Sequence, residues 1–383
     1  MNSLLQLIDC GQSYWLDNLT RGMIQGGTLK KRVTEQGLRG VTSNPSIFNK
    51  AISKSSDYDA QIHQLVGDNR SVQEIYEQLV VADIQDACDT LRPVYDDSDG
   101  VDGFVSLEVS PYLAHDTEGT MDEARKLFKM VNRPNVFIKI PGTAACVPAI
   151  EQMLFEGIPI NITLLFSIQS YEAVAKAYVK ALERRVAEGK SIKNIASVAS
   201  FFLSRIDVLV DQLLGHRMPP KRNGKLSGKA EQLLGKVAVA NAKLAYQSFK
   251  KIFVGDRWDA LEEKGGCVQR PLWASTSTKN PDYSDVCYIE PLIGPDTVNT
   301  MPEETIIAFA DHGRVVKNSV EADLEKANKI LTDLADIGID FNCVTWQLEN
   351  EGVQKFIDPF DQLMKTLTDK REQFSVEKVA AKA

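Results

Sequence analysis

Short apolar segments alternate with longer amphipathic stretches along most of this chain. The short segments are bounded by turn-forming residues, as buried strands are, and the longer ones show the spacing of helices with one apolar face. Such alternation is typical of a parallel sheet whose strands are connected by covering helices. The pattern predicts eight strands, at Ser13–Leu19, Gly40–Asn44, Phe104–Ser110, Val136–Pro141, Pro159–Phe166, Ile195–Leu203, Pro271–Thr276 and Cys287–Leu292.

Eight strands, most of them followed by a helical pattern, are the number expected for a (β/α)8 TIM barrel of the α/β class. A doubly wound open sheet is the weaker alternative, and the lack of a glycine-rich phosphate fingerprint after the early strands weakens it further. We expect residues 1–383 to form a single barrel domain. Two additions to this barrel are expected, namely an inserted loop at 215–228 after strand six and extra C-terminal helices at 318–370.

Several helices have recognisable ends in the sequence. The helix predicted at Thr28–Gln36 stops at Gly37, and the one predicted at Ser167–Glu188 stops at Gly189, because glycine is favoured where a helix ends. We expect the helices after the eighth strand to pack outside the barrel. They are predicted at Pro302–Gly313, Val320–Ile337 and Thr345–Thr368.

The chain is acidic overall. Its 52 Asp and Glu residues against 44 Lys and Arg give a formal charge of −8, which argues against a nucleic-acid partner and still allows a local basic pocket for an anionic metabolite. The six cysteines show neither a CxxC spacing nor clustering with histidine, so we predict no zinc site and reduced thiols. We recognise no signal peptide or membrane span and expect a cytoplasmic protein without a membrane partner. The sequence is compatible with a homodimer.

One lysine lies in an unusually apolar segment. Lys139 belongs to the run 136–141, where burial of a charged amine is costly. An ordinary lysine with a pKa near 10.4 is neutral in only about one molecule in 2,500 at pH 7, a handicap of roughly 4.6 kcal/mol for nucleophilic attack, and burial removes part of it. Lys139 is therefore a candidate to attack a substrate carbonyl and form an iminium. From this run alone, a strand-edge lysine that extends to solvent is an equally good interpretation.

Polar residues recur near the carboxyl ends of the predicted strands. Because side chains alternate across a strand, these positions share one face, and barrel closure would bring them together where TIM barrels hold their active sites. The candidate residues on this face are Asp17, Thr42, Asn44, Glu108, Lys139, Thr163, Ser200, Phe202 and Ser275.

This set suits the making and breaking of C–C bonds through an iminium. The lysine supplies the electron sink, a carboxylate takes the hydroxyl proton during retro-aldol cleavage, and a second polar pair can move protons through water. Asp17 is the candidate for the hydroxyl proton. Each acid also has a simpler interpretation, since Asp17 can cap a turn and Glu108 can form a structural ion pair with Lys139. The chemistry requires neither a metal ion nor an organic cofactor, because the iminium itself withdraws electrons.

A phosphate site is predicted beside this set. Arg205 follows the sixth strand, and Ser275 and Lys279 follow the seventh, in positions where barrels often bind phosphate. These residues make a candidate clamp for a sugar phosphate. The hydroxyl run at 275–278 is even more typical of a solvent-exposed turn.

Five segments occur in the order typical of one enzyme family. They are Trp-Leu-Asp at 15–17, Gly-Val-Thr-Ser-Asn-Pro-Ser at 40–46, Val-Ser-Leu-Glu-Val at 105–109, Phe-Ile-Lys-Ile-Pro-Gly-Thr at 137–143 and Asn-Ile-Thr-Leu-Leu-Phe-Ser at 161–167. Each segment alone is a modest signal, whereas the ordered set is specific. From about residue 13 to about residue 370 the chain resembles the transaldolase family. The long connection at 215–228 resembles that of the longer bacterial-type members.

The resemblance implies a (β/α)8 barrel that moves a dihydroxyacetone unit from a ketose phosphate to an aldose phosphate in the non-oxidative pentose phosphate pathway. It also implies a role for each matching residue. By similarity, Lys139 is the Schiff-base lysine, Asp17 is the general acid and base, and Asn44 is the amide that holds the three-carbon unit. Glu108 and Thr163 match the pair that orders a catalytic water, and Ser200 and Arg205 match the contacts for a substrate hydroxyl and the phosphate.

The chain departs from the family pattern after the seventh strand. The shorter family members have Ala-Ser-x-Arg there, whereas this chain reads Ala-Ser-Thr-Ser-Thr-Lys at 274–279, so Lys279 is expected to be the phosphate cation. Two alternatives to transfer stay open. One is a fructose 6-phosphate aldolase that releases the three-carbon unit to water. The other is a non-catalytic sugar-phosphate-binding barrel, because a fold does not fix function. A barrel that only binds would not need a lysine and an acid on its inner face, so their presence argues against this alternative.

Overall fold

The computed structural model describes residues 2–217 and 228–380 of the chain. Within these residues, eight parallel strands close into one barrel in chain order, so that β8 pairs with β1. The strands are β1 Gln12–Leu16, β2 Gly40–Thr42, β3 Phe104–Glu108, β4 Val136–Pro141, β5 Ile160–Leu165, β6 Ser197–Phe202, β7 Arg270–Ala274 and β8 Thr297–Met301. Closure confirms the expected (β/α)8 fold and removes the open-sheet alternative.

Helices surround the barrel and connect its strands. From the N-terminus to β6 they are α1 Ser3–Asp9, α2 Arg21–Gln25, α3 Thr28–Gln36, α4 Pro45–Lys54, α5 Asp59–Gly67, α6 Val72–Asp97, α7 Thr117–Val131, α8 Val147–Glu156 and α9 Ile168–Ala187. From β6 onward they are α10 Ser204–Arg217, α11 Lys229–Leu233, α12 Val237–Ile252, α13 Asp256–Glu262, α14 Glu303–His312, α15 Leu324–Asp336 and α16 Phe341–Ala380. Among the residues described, no helix is both long and apolar enough to span a lipid bilayer.

Local capping explains where two of the predicted helices begin and end. α3 ends at Gly37, whose φ of 76° lies in the left-handed region that glycine adopts without strain. α9 begins after Ser167, whose hydroxyl accepts a hydrogen bond from the N–H of Ser170, and it ends before Gly189, with a φ of 69°. Both helices therefore confirm the ends predicted from the sequence.

The eighth strand differs from its prediction. The segment expected to form it, Cys287–Leu292, is a turn followed by the short 3-10 helix Glu290–Leu292. Its apolar residues Tyr288, Ile289 and Leu292 are buried although they are not in a strand. Pro291 lacks the N–H that the hydrogen-bond ladder of a β-sheet requires. The true strand β8 contains three polar side chains, and each makes at least one hydrogen bond: Thr300 with the hydroxyl of Thr42, Thr297 with the carbonyl of Gly294, and Asn299 with the carbonyl of Tyr288. Hydropathy therefore favoured the wrong segment.

Six strands end earlier than predicted, and for β1, β2 and β7 this places functional candidates in loops. β1 ends at Leu16 and β2 at Thr42, so Asp17 and Asn44 both lie just beyond a strand. The backbone N–H of Asp17 still donates to the carbonyl of Met301 at 2.8 Å. Both side chains thus project from the rigid carboxyl-terminal edge of the barrel.

The sequence suggested that the C-terminal helices all pack outside the barrel, but this holds for only some of them. α15 packs outside the barrel, against α12. α16 instead crosses the carboxyl-terminal end of the barrel, where it contacts α4, α5, α6, α10 and β5. The reason is its apolar face, which includes the buried Phe356, Phe360 and Leu363. Of the predicted insertion at 215–228, residues 215–217 form the end of α10, residue 228 precedes α11, and 218–227 lie outside the described residues.

A buried polar network fills the opposite, amino-terminal end of the barrel. Arg270 contacts Asp102 at 3.0 Å, the hydroxyl of Ser13 at 2.6 Å and the carbonyl of Thr297 at 2.8 Å. Above this network the rings of Phe104 and Phe137 stack at 4.0 Å between centroids. These side chains therefore pack the interior of the barrel through its amino-terminal half.

Candidate active site

A cavity of about 80 Å³ lies at the carboxyl-terminal end of the strands. Side chains from five strand ends, the following loops, α10 and α16 line it: Asp17, Thr42, Asn44, Lys139, Ser200, Phe202, Arg205, Ala274, Ser275, Thr300 and Phe356. Within residues 2–217 and 228–380, no group of three or more His, Cys, Asp or Glu side chains is placed to hold a metal ion.

Lys139 lies inside the barrel rather than at a strand edge. It stands on β4, in register with Glu108 of β3 and Asn161 of β5, and only 4% of it is exposed. Its Nζ is 3.2 Å from Oε2 of Glu108 and donates to the carbonyl of Ser43 at 3.3 Å. The amine therefore does not extend to bulk solvent. The ion pair of Lys139 with Glu108, which the simpler interpretation of Glu108 expected, is present.

The buried carboxyl group of Glu108 uses only one of its oxygens in this pair. Its Oε1 has no hydrogen-bond partner among the described residues, and neither does Oγ1 of the fully buried Thr163. Burial raises the pKa of Glu108, although the charge of Lys139 and its hydrogen bond oppose the rise. Glu108 can therefore change its protonation state more easily than an exposed glutamate at neutral pH.

Asp17 lies at the end of a chain of hydroxyl groups. The hydroxyl of Thr42 donates to Oδ1 of Asp17 at 2.7 Å, and the hydroxyl of Thr300 lies 2.7 Å from that of Thr42. Burial raises the pKa of Asp17, while the charge of Lys139 and the hydrogen bond from Thr42 oppose the rise. A carboxylate with a raised pKa is a better proton acceptor than an ordinary aspartate.

The two ends of the Asn44 side-chain amide serve different purposes: the oxygen caps a helix, and the nitrogen is available to the cavity. Its Oδ1 accepts a hydrogen bond from the N–H of Ile47 at 3.1 Å and so caps α4, whose first residue is Pro45. Because the oxygen is used by the helix, the amide nitrogen is the half that can donate to a ligand in the cavity that Asn44 lines.

Ser200 is fixed by a layer of polar side chains beneath the lysine. Its hydroxyl donates to Oδ1 of Asn161 at 2.7 Å, and Nδ2 of Asn161 donates to the hydroxyl of Ser106 at 3.0 Å. All three side chains are buried. Since its proton is used by Asn161, Ser200 presents an oxygen that can accept a hydrogen bond from a ligand hydroxyl.

Arg205 forms the far side of the cavity. Its guanidinium carbon lies 5.1 Å from the ring centre of Phe202 and 5.6 Å from that of Phe356, and its buried Nη1 has no hydrogen-bond partner among the described residues. Burial lowers the pKa of Arg205, and the carboxylates of Glu108 and Asp17 oppose this change. A cation held between two rings with a free donor is well suited to bind a phosphate.

Lys279 does not line this cavity. Arg205 and Ser275 form the boundary to a second, outer cavity, and Lys279 lines only the outer one. Lys279 is exposed and donates to the hydroxyl of Ser277 at 2.5 Å. Ser275 adopts a left-handed backbone conformation with a φ of 56°, which is uncommon for serine and turns the chain at this boundary. Seven of the other predicted residues share the inner cavity with Ser275, whereas Glu108 and Thr163 lie beside it.

Sequence reasoning missed three residues that line the cavity, namely Ala274, Thr300 and Phe356. Ala274, the last residue of β7, carries no polar group that could mark it. Thr300 was missed because the eighth strand was assigned to another segment, and Phe356 because its helix was expected to pack outside the barrel. The signal for Thr300 was the alternation in 297–301, which is weak because three of the five residues are polar. For Phe356, the available signal was Gly352 one turn earlier, which marks a close approach of α16 to another element.

Comparisons with known proteins agree with this geometry. The family model described as Transaldolase/Fructose-6-phosphate aldolase matches residues 14–367. A protein named Transaldolase 2 from Nostoc sp. is 52% identical over 373 residues, which cover 97% of this chain and 98% of that protein. A Transaldolase from Trichodesmium erythraeum is 50% identical over 371 residues, or 96% and 97% of the two chains. A Transaldolase from Mycobacterium bovis is 46% identical over 363 residues, or 94% and 95%.

Proposed function

This chain belongs to the transaldolase/fructose-6-phosphate aldolase family, and on that basis we propose that it transfers a dihydroxyacetone unit between sugar phosphates through a Schiff base on Lys139. Relatives that match nearly the whole chain are named transaldolases, and the chain is an enzyme with transaldolase activity. The donors are sedoheptulose 7-phosphate and fructose 6-phosphate, and the acceptors are glyceraldehyde 3-phosphate and erythrose 4-phosphate.

The observation that carries the mechanism is the buried amine of Lys139, which lies 3.2 Å from the carboxyl group of Glu108 and lines the same cavity as Asp17. Burial raises the pKa of both carboxyl groups. The amine attacks the ketose carbonyl and forms an iminium with loss of water. Glu108 and Thr163 each hold a buried polar atom that has no partner among the described residues, and these atoms bind the water that carries protons during this step.

Asp17 then promotes cleavage of the C–C bond. Its carboxylate accepts the proton of the substrate hydroxyl while the bond breaks, the aldose phosphate leaves, and the iminium takes up the electron pair as an enamine. An acceptor aldehyde reverses this step, with Asp17 returning the proton to the new hydroxyl. Water then hydrolyses the iminium and frees Lys139.

The remaining residues position the sugar. The amide nitrogen of Asn44 donates to the three-carbon unit, and the oxygen of Ser200 accepts from a sugar hydroxyl. Nη1 of Arg205 binds the phosphate at the boundary of the two cavities. A barrel that only bound sugar phosphates would have no need of the buried ion pair of Lys139 and Glu108, which is costly to form.

Borohydride trapping tests the Schiff base directly. Incubation with fructose 6-phosphate and sodium borohydride should attach a reduced dihydroxyacetone group to Lys139, located by intact mass and peptide mapping. Addition of erythrose 4-phosphate before the borohydride should lower the yield of this adduct, because the acceptor discharges it. An adduct on a different lysine, or none, would contradict the mechanism.

The phosphate assignment predicts unequal effects for two cations. Arg205→Ala should raise the KM for fructose 6-phosphate by about 10- to 100-fold, because a buried guanidinium makes charge-assisted hydrogen bonds. Lys279→Ala should raise it by no more than about fivefold, since Lys279 is exposed and lies in the outer cavity. Steady-state kinetics with phosphorylated and unphosphorylated fructose separates the two effects.

Unphosphorylated fructose is the control for this comparison. With it, the KM should depend only weakly on Arg205. A larger effect of Lys279→Ala than of Arg205→Ala on the phosphorylated donor would place the phosphate in the outer cavity instead.

A further inference from the structure

The ring of Phe356 lies next to both cations of the cavity. Its centre is 5.4 Å from Nζ of Lys139 and 5.6 Å from the guanidinium carbon of Arg205, and only 4% of the residue is exposed. It is the residue through which the C-terminal helix α16 lines the inner cavity. An aromatic face attracts a cation but provides no strong hydrogen-bond partner for water.

The helix that carries Phe356 is seated closely on the barrel. One turn before it lies Gly352, where a Cβ atom would be 3.0 Å from Cδ2 of Leu164 and 3.6 Å from Nη1 of Arg205. Leu164 itself has a φ of 61° within an irregularity of the β5 ladder, so that its side chain meets α16. This contact ties the helix to the same strand that carries Thr163.

A second contact holds the helix one turn after Phe356. The ring of Phe360 packs edge-on against Tyr76, with 5.4 Å between ring centres, and lies 6.2 Å from Tyr112. The backbone at Phe356 is thus held between two packed turns, which places the ring beside Lys139.

We infer that Phe356 is a specificity-determining residue that favours transfer of the three-carbon unit over its release to water. The inference rests on the proposed Schiff base. Release requires a proton to reach the enamine carbon, after which water adds to the iminium carbon, the C–N bond breaks, and dihydroxyacetone leaves with Lys139 restored as its amine. A ring that covers the nitrogen excludes water from this side and stabilises the cationic iminium.

The experiment measures how the carbon unit divides between two products. With fructose 6-phosphate as donor and erythrose 4-phosphate as acceptor, free dihydroxyacetone and sedoheptulose 7-phosphate are quantified for wild type, Phe356→Ala and Phe356→Leu. The ratio of free dihydroxyacetone to transfer product should rise about five- to tenfold in Phe356→Ala. It should rise less in Phe356→Leu, which keeps the apolar volume without the aromatic face and guards against misfolding of the alanine variant.

Phe360→Leu is the matched control. It removes an aromatic ring from the same face of α16, but Phe360 lies outside the cavity and packs on Tyr76 and Tyr112. Its product ratio should equal that of the wild type even if its Tm falls.

Borohydride trapping in the same samples separates two kinds of failure. If wild type carries the adduct on Lys139 and the product ratio is unchanged in both Phe356 variants, the role of Phe356 is structural and the inference is overturned, whereas the Schiff base stands. If wild type carries no adduct on Lys139, the proposed mechanism fails and the inference fails with it.

Discussion

Replacement of Lys139 with alanine should lower the rate of transfer by at least roughly 10⁴-fold while the barrel stays folded. In the proposed mechanism this amine forms the covalent bond to the donor, and no other described residue that lines the cavity carries an amine. Loss of the lysine leaves Glu108 buried without its partner, which costs several kcal/mol when the remaining group must stay charged. Because burial already raises the pKa of Glu108, this carboxyl group can take up a proton and limit the cost.

Lys139→Arg is the control for the lost charge. Arginine keeps a cation beside Glu108 but stays protonated and cannot form the Schiff base. Both variants should be inactive in a coupled assay, and the arginine variant should keep more of the wild-type Tm in thermal unfolding followed by circular dichroism. Transfer activity that survived in either variant would exclude Lys139 as the nucleophile.

Replacement of Asp17 with asparagine should lower kcat by about 10²- to 10⁴-fold without preventing formation of the Schiff base. Asparagine has nearly the same shape and can accept the hydrogen bond from Thr42, but it cannot take the hydroxyl proton. Borohydride trapping with fructose 6-phosphate should therefore still label Lys139, while steady-state turnover is largely lost. A variant with near wild-type kcat would assign the proton transfer to another group.

The pH profile tests the same assignment through Thr42. In the proposed mechanism Asp17 is the ionised base, so activity should fall as pH decreases through its pKa. Burial raises this pKa and so places the acid limb at higher pH than for an ordinary aspartate. The hydrogen bond from Thr42 favours the ionised form. Thr42→Val removes it and should move the acid limb of kcat to still higher pH. A shift toward lower pH would contradict this role of Asp17.

Much of the fold was determined by local sequence patterns. A strand buried on both faces needs a short apolar run, and a helix end needs a cap, so β4 and α3 were predicted with their observed bounds. The two-residue period of a strand also placed Lys139 and Glu108 on the inner face before any contact was known. Strand parity indicated which side chains face the inside of the barrel, and closure of the eight strands brings those near the carboxyl ends together. These two rules specified most of the residues that line the cavity.

Tertiary packing decided the rest. β8 is a strand because its polar side chains find hydrogen-bond partners on distant elements, such as Thr42 for Thr300, and no local pattern reports such partners. Phe356 reaches Lys139 across more than 200 residues of chain, because the apolar face of α16 is buried against the barrel and its surrounding helices. The sequence alone therefore determined the barrel and the amine at its centre, whereas long-range burial decided which residues enclose that amine and where Lys279 lies.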